Sequence, residues 1–272
     1  MTLSMAWRSE ENIHLASDSR ITFSSSAKVD CGIKVMAIPV KVSGVPLVKD
    51  AKYSNVLFSR VYGFCYAGSL PNAATIKELL GELLQQVQFV PPPELLSFEK
   101  ICEFIIEYCE NISSQYCTFL QDGECEFILA GYCPLDRYIK ASKFSLRGSG
   151  ITIKSQVASI LTSGDPHYEF IGSGSAWASA FRDPNTYDLQ SFLLLLNRII
   201  DEQVDEKVGG DIQYGRFNDN KDFEVLGVAR WSLKHLKWTY AYRGFSLYED
   251  WGGMESAAIF AKPQFVHLEV PS

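Results

Sequence analysis

The sequence predicts an α+β fold: a four-layer αββα sandwich of two antiparallel sheets, with a helix pair on each outer side. Three observations predict it. Strand-like and helix-like segments come in blocks (strands, two helices, strands, two helices, strands) and not in strict alternation. The helical segments with clear periodicity carry a single apolar stripe, which a sheet face would bury. No linker composition, repeat or low-complexity tract breaks the 272 residues. The chain 1–272 is therefore expected to be one domain, with a strand extension from about residue 222.

The opening segments LSMAW and NIHLAS read as short strands, with Glu10, Glu11 and Asn12 as the hairpin turn between them. IKVMAIPV is mostly apolar and reads as a strand buried on both faces. Lys41 to Asn55 is more polar, with Ser43-Gly44 as a turn signal inside an excursion. VLFSRVYGFCYAGS is the next strand, ending at Gly68, and Pro71 sits near the start of the helix after it. That helix is expected from Asn72 to about Gln88, with Ile76, Leu79, Leu80, Leu83, Leu84 and Val87 on its buried stripe. Pro91 to Pro93 stop it.

A second helix is expected from an N-cap at Ser97 to about Tyr116, burying Ile101, Phe104, Ile105, Tyr108 and Ile112. Two strands follow, ECEFILAGY and RYIKASKFSL, joined through Cys133-Pro134. The serine-rich passage Arg147 to Pro166 has no clear period. HYEFIGSG reads as a strand running into a helix near Ser175. Leu189 to Asp205 is a strongly patterned helix with Leu193, Leu196, Ile199, Ile200 and Val204 on one side, ended by Gly209-Gly210. FEVLGVARWSL, HLKWTYAYRG and FVHLEV alternate like antiparallel strands.

Composition excludes several classes. A net charge of -7 offers no basic footprint for nucleic acid. No basic stretch leads into an apolar core at the N-terminus, and the apolar run at Phe192 to Leu196 is far too short to cross a bilayer. A cytoplasmic protein without membrane partners is expected. The seven cysteines are Cys31, Cys65, Cys102, Cys109, Cys117, Cys125 and Cys133. They form no C-x-x-C pair, so they read as buried reduced thiols. The four histidines have no metal-ligand spacing, and no cofactor is expected. Gly172-Ser173-Gly174 lacks the rest of a phosphate-binding fingerprint, and no G-x-S-x-G elbow occurs. Trp231, Trp238 and Trp251 read as core or subunit-contact residues.

The chemistry-bearing stretch is the first one. A threonine hydroxyl is a poor nucleophile and needs a base. A threonine at the start of the mature chain can use its own α-amine, whose ordinary pKa is about 7.7–8.0. Thr2 is such a residue once Met1 is trimmed, as small second residues favour. An ammonium at Lys34 would lower the pKa of that amine and favour loss of the hydroxyl proton. Asp18 would keep the lysine charged and oriented. By spacing alone, Asp18 also reads as a turn residue and Lys34 as a lysine snorkelling from a strand edge.

The set of motifs resembles the proteasome β-type subunits of the N-terminal nucleophile hydrolases, and the bacterial proteasome-like peptidases that start Met-Thr. Thr2, the box Asp18-Ser19-Arg20-Ile21-Thr22, and Lys34 within GIKVMAI stand where that superfamily has its nucleophile, acid and lysine. CYAGSLPNAATIKELL, FILAGY, IGSGSAWA and VDEKVGGDIQ match further segments in order, from Met1 to about Gln213. The resemblance implies Gly68 as oxyanion donor and Ser173 and Asp205 as supporting residues. It implies Ile21, Thr22, Tyr66 and Leu70 as substrate-binding residues, with Tyr66 restricting the pocket. Val208 departs from the family, standing where a serine is usual, and Asn72 stands where an aspartate is usual. The segments Lys41–Asn55 and Ser142–His167 are longer than the family's, and the last strands run beyond its core.

The function expected from the resemblance is a threonine peptidase acting on peptide or unfolded protein, in a high-order homo-oligomer of rings, with any ATPase or unfoldase on a separate partner. A small-molecule amidase of the same class and a non-catalytic assembly subunit are the alternatives.

Overall fold

The structure, a computed structural model, describes residues 2–23, 27–44, 55–120, 123–149, 152–161, 167–232, 237–247 and 264–268. Met1, Trp251 and the middle of the expected excursion, 45–54, lie outside the described residues, as do the side chain of Trp231 and residues 162–166 of the serine-rich passage.

A hairpin opens the chain, β1 (Ser4–Ser9) against β2 (Asn12–Ser17), with Glu10 turning at φ 55°. A two-stranded ribbon follows, β3 (Ile21–Thr22) with β4 (Lys28–Val29). The next elements are β5 (Val35–Gly44), β6 (Val56–Gly68), α1 (Leu70–Leu83), β7 (Val87–Phe89), α2 (Phe98–Phe119), β8 (Cys125–Tyr132), β9 (Ile139–Ser149) and β10 (Thr152–Ser159). The chain continues with β11 (Tyr168–Ile171), α3 (Ser175–Phe181), α4 (Leu189–Asp201), β12 (Gln213–Phe217), β13 (Phe223–Ser232), β14 (Lys237–Tyr242), β15 (Phe245–Leu247) and β16 (Phe265–Leu268). One sheet has six strands in the order β10-β9-β8-β6-β5-β7. The other has eight, β11-β1-β2-β12-β13-β14-β15, with β16 beside β13.

Three apolar clusters show how these elements pack. The first joins α1 and α2 to the six-stranded sheet, through Ile76, Leu80, Ile101 and Ile105 against Ile38, Phe64 and Phe127. The second joins α3 and α4 to the other sheet, through Ala178, Phe192, Leu196 and Ile199 against Met5, Trp7 and Tyr214. The third draws on both sheets, with Ala6, Leu15 and Phe217 meeting Val35, Cys65 and Ile128.

Several expectations are corrected. Helix α1 stops at Leu83, where the Lys41 N–H captures the Leu84 carbonyl at 2.7 Å, and Val87 pairs as a strand instead of extending the helical stripe. Helix α2 begins as expected, with Ser97 accepting the Lys100 N–H, but its buried face is Ile101, Cys102, Ile105 and Cys109. Phe104 and Tyr108 are 37% and 39% exposed. The smaller cysteines occupy the face next to the sheet, and the bulkier rings stand to one side. Helix α4 ends at Asp201, short of Asp205. The serine-rich passage forms the end of β9 and then β10, paired from Thr152↔Ser149 to Ser159↔Ser142. The sheets are not wholly antiparallel: β7 runs parallel to β5, and β16 parallel to β13. Strand β5 keeps Met36, Ile38, Val40 and Val42 buried toward the helices. Its other face is buried at Val35 and Ser43 but open at Pro39 and Lys41, so burial on both faces fails in the middle of the strand. No helix among the described residues is long and apolar enough to cross a membrane.

Within the second cluster, Trp7 stacks on His14 and Phe192, and His14 Nδ1 pairs with the Tyr214 hydroxyl at 2.7 Å. Burial, aided by Arg216, pushes the His14 pKa down to about 4, so the folded protein holds this ring neutral. The unfolded chain takes up a proton near the ordinary histidine value of about 6.5, so acid favours unfolding. We expect about 3 kcal/mol of stability, present above pH ~6.5, to be lost as pH falls towards ~4. Urea midpoints measured against pH for wild type and His14→Gln check this: the variant should lack that part of the slope.

Candidate active site

The site begins with the register of the first hairpin. Pairing Ser4 with Ser17 sets Leu3 beside Asp18, and the two exchange bonds: Asp18 N–H to the Leu3 carbonyl at 3.2 Å, Leu3 N–H to Asp18 Oδ1 at 3.0 Å. Asp18 is fully buried. Its Oδ1 also accepts Lys34 Nζ at 2.8 Å, while Oδ2 accepts the N–H of Arg20 at 3.1 Å and of Gly209 at 3.0 Å. Four charge-assisted bonds thus offset the cost of burying the carboxylate.

Lys34 stands just ahead of β5 and is 1% exposed. Its Nζ bonds both Asp18 and the Thr2 hydroxyl, so Thr2, Asp18 and Lys34 are in direct contact. Burial lowers the Lys34 pKa from the ordinary lysine value, and Asp18 opposes that shift. Chemically, the arrangement offers a hydroxyl held against an ammonium whose countercharge is fixed behind it.

The turn after β11 closes over Thr2. Gly172 has φ +93°, and a Cβ there would lie 2.1 Å from the Thr2 carbonyl oxygen. Gly174 donates its N–H to that oxygen at 3.4 Å, and Gly172 donates to Glu126 Oε2 at 3.4 Å. These amides face protein acceptors, one of them a carboxylate, which disfavours an anion there. Ser173 lines the cleft and donates to Asp205 Oδ2 at 3.1 Å. Asp205 does not line the cleft, and its Oδ1 accepts the Lys207 N–H.

The cleft above Thr2 has a volume of ≈ 790 Å³. Gly68, at φ +102°, ends β6 on its wall, and Ile21, Thr22, Tyr66 and Leu70 all line it. Tyr66 is 2% exposed and packs among the helix-side residues. Its hydroxyl and that of Thr22 are buried without a hydrogen-bond partner among the described residues. Asn72 is also fully buried and bonds Ser113 and the Gly123 carbonyl, joining α1 to α2 and the cleft wall. Val208 packs into the cluster under α3 and α4.

Sequence reasoning missed the Gly209 amide as a partner of Asp18. It also missed Glu126 and Arg147, which line the cleft and pair at 2.8 Å across the β8–β9 hairpin. Alternation along those two strands could have marked that pair. Glu99, Cys133 and Asp136 come close enough together to suggest a metal site, but Lys140 Nζ already pairs with both carboxylates, at 2.6 and 2.5 Å.

The architecture has counterparts among solved structures. An Anbu (ancestral beta-subunit) from Yersinia bercovieri matches with TM-score 0.56 and 16% identity, over 82% of this chain and 86% of that one. An Anbu structure from Pseudomonas aeruginosa, described as a helical assembly of the Anbu complex, matches with TM-score 0.57 and 14% identity, over 91% and 87%. The chain shares the Anbu fold. A Gly-1 mutant of Anbu from Hyphomicrobium sp. strain MC1 agrees, with TM-score 0.54 and 15% identity over 83% and 85%. No protein-family model and no curated protein matches the chain.

Proposed function

We propose that the chain is a threonine-type peptidase of the N-terminal nucleophile class, with Thr2 exposed by removal of Met1. The observation that carries this reading is the double contact of Lys34 Nζ, to the Thr2 hydroxyl and to Asp18, on the cleft floor. In this reading the Thr2 Oγ1 attacks the scissile carbonyl and its proton passes to the free α-amine. Lys34, held by Asp18, favours the neutral amine and the deprotonated oxygen. The Gly68 N–H meets the oxyanion. The amine side of the substrate leaves with the proton, and water hydrolyses the resulting ester. Ser173 and Asp205 support the α-amine side. An extended substrate lies along the backbone of Thr22 and Gly68, beside Ile21 and Leu70, with Tyr66 limiting pocket depth.

The three apolar clusters support one domain over 1–272, built as a four-layer αββα sandwich with added C-terminal strands. The Anbu fold, seen in a helical assembly for the Pseudomonas protein, supports a homo-oligomer of this chain. Unfolding of protein substrates would fall to a separate ATPase. A non-catalytic assembly subunit is the second reading, and Val208 favours it because no hydroxyl stands at that position.

Intact mass of the purified protein, with and without a β-lactone or epoxyketone, tests the proposal. The expected result is a chain starting at Thr2 that gains one inhibitor mass, with no gain in Thr2→Ala. Retained Met1 and no adduct would overturn it. Fluorogenic peptides set against acylated amino acids separate a peptidase from a small-molecule amidase.

A further inference from the structure

The reactive pair is assembled across the two sheets. Asp18 follows β2 of the eight-stranded sheet, while Lys34 precedes β5 of the six-stranded one. Residues 31–34 belong to no strand, so no ladder fixes the backbone that carries the lysine. The Gly32 N–H donates to the Ser19 carbonyl at 2.8 Å, and one fully buried side chain holds the rest. Gln213, the first residue of β12, pairs with Ser17 of β2, next to Asp18. Its Oε1 accepts the N–H of Lys34 at 2.8 Å and of Val35 at 3.2 Å, and its Nε2 donates to the Gly32 carbonyl. Two donors face the oxygen and one acceptor faces the nitrogen, so only one orientation of the amide satisfies all three.

Gly244 backs the same carboxamide. It turns at φ +79°, and a Cβ there would lie 2.5 Å from Ser19 Cβ and 3.2 Å from Gln213 Nε2. The turn between β14 and β15 thereby packs closely against the Gln213 carboxamide.

We propose that Gln213 is the positioning residue of this site: its carboxamide fixes the backbone of Lys34 relative to Asp18, so that one ammonium reaches both the acid and Thr2. The functional consequence rests on the reading of Lys34 as part of the reactive centre, but the positioning role is measurable without it. Loss of the carboxamide leaves two buried N–H groups and one carbonyl unpaired, and the segment must move to satisfy them.

Gln213→Met, which keeps length and removes every hydrogen bond, and Gln213→Glu, which keeps only the acceptor, provide the test. Crystal structures of both variants and β-lactone adduct rates against pH are the readouts. In Gln213→Met, Lys34 Nζ should lose its contact with Thr2 or Asp18, and adduct formation should slow by about tenfold or more. In Gln213→Glu, a carboxylate joins Asp18, Asp30 and Arg20 around Lys34. The pH midpoint of adduct formation should then rise by about one unit.

A Gln213→Met structure that keeps both contacts overturns the proposal. Should that variant not fold, an unmoved Lys34 and an unshifted midpoint in Gln213→Glu overturn it instead. If wild type forms no adduct, the peptidase reading falls, while the position of Lys34 in the variant crystals still decides the role of Gln213.

Discussion

Replacing Lys34 with alanine should lower the rate of β-lactone acylation at Thr2 by about 10³-fold or more, a barrier increase of about 4 kcal/mol. The substitution removes the cation that touches the Thr2 hydroxyl. It also leaves Asp18 buried without its countercharge. Removing one partner of a buried pair typically costs about 3–5 kcal/mol of stability. We expect the lower end, because the N–H groups of Leu3, Arg20 and Gly209 still bond the carboxylate. Intact-mass kinetics and urea unfolding separate the two losses. Lys34→Ala with near-normal acylation would show that the lysine does not activate Thr2.

Gly172→Ala should be nearly as damaging, though it changes no charged or hydroxyl group. Its φ of +93° is strained for any side chain, and the added methyl would meet the Thr2 carbonyl oxygen at 2.1 Å and Ala67 Cβ at 2.9 Å. Both neighbours are buried, so the Thr2 backbone must move. Acylation should slow by about 100-fold or more, because displacing a reacting group by about 1 Å has costs of that order. Overpacking and backbone strain should also lower stability by about 2–4 kcal/mol. Gly81→Ala is the control: nothing lies within 4 Å of its added methyl, and alanine favours a helix interior. Equal acylation rates in Gly172→Ala and Gly81→Ala would mean that the turn does not position Thr2.

Much of the frame was legible in the sequence, because periodicity and caps are properties of neighbouring residues. The Ser97 cap and the apolar side of α4 can be read along the chain. The face of α2 was legible only in part, because cysteines and aromatic rings both fit a buried stripe, and only packing decides which of Cys102, Cys109, Phe104 and Tyr108 face the sheet. The parallel pairing of β16 was not legible, since alternation marks a strand but not the direction of its partner.

The candidate site divides along the same line. The sequence by itself determined which residues could supply a hydroxyl, an acid and an ammonium, and it set Asp18 near Thr2 through a short hairpin. Tertiary structure alone decided that Lys34 reaches both, that the Gly209 amide, 191 residues away, bonds Asp18, and that Gln213 holds the lysine's backbone. Residue type and local spacing are written in the chain. Convergence of side chains from two sheets depends on strand order and register, which only the packing of the whole chain fixes.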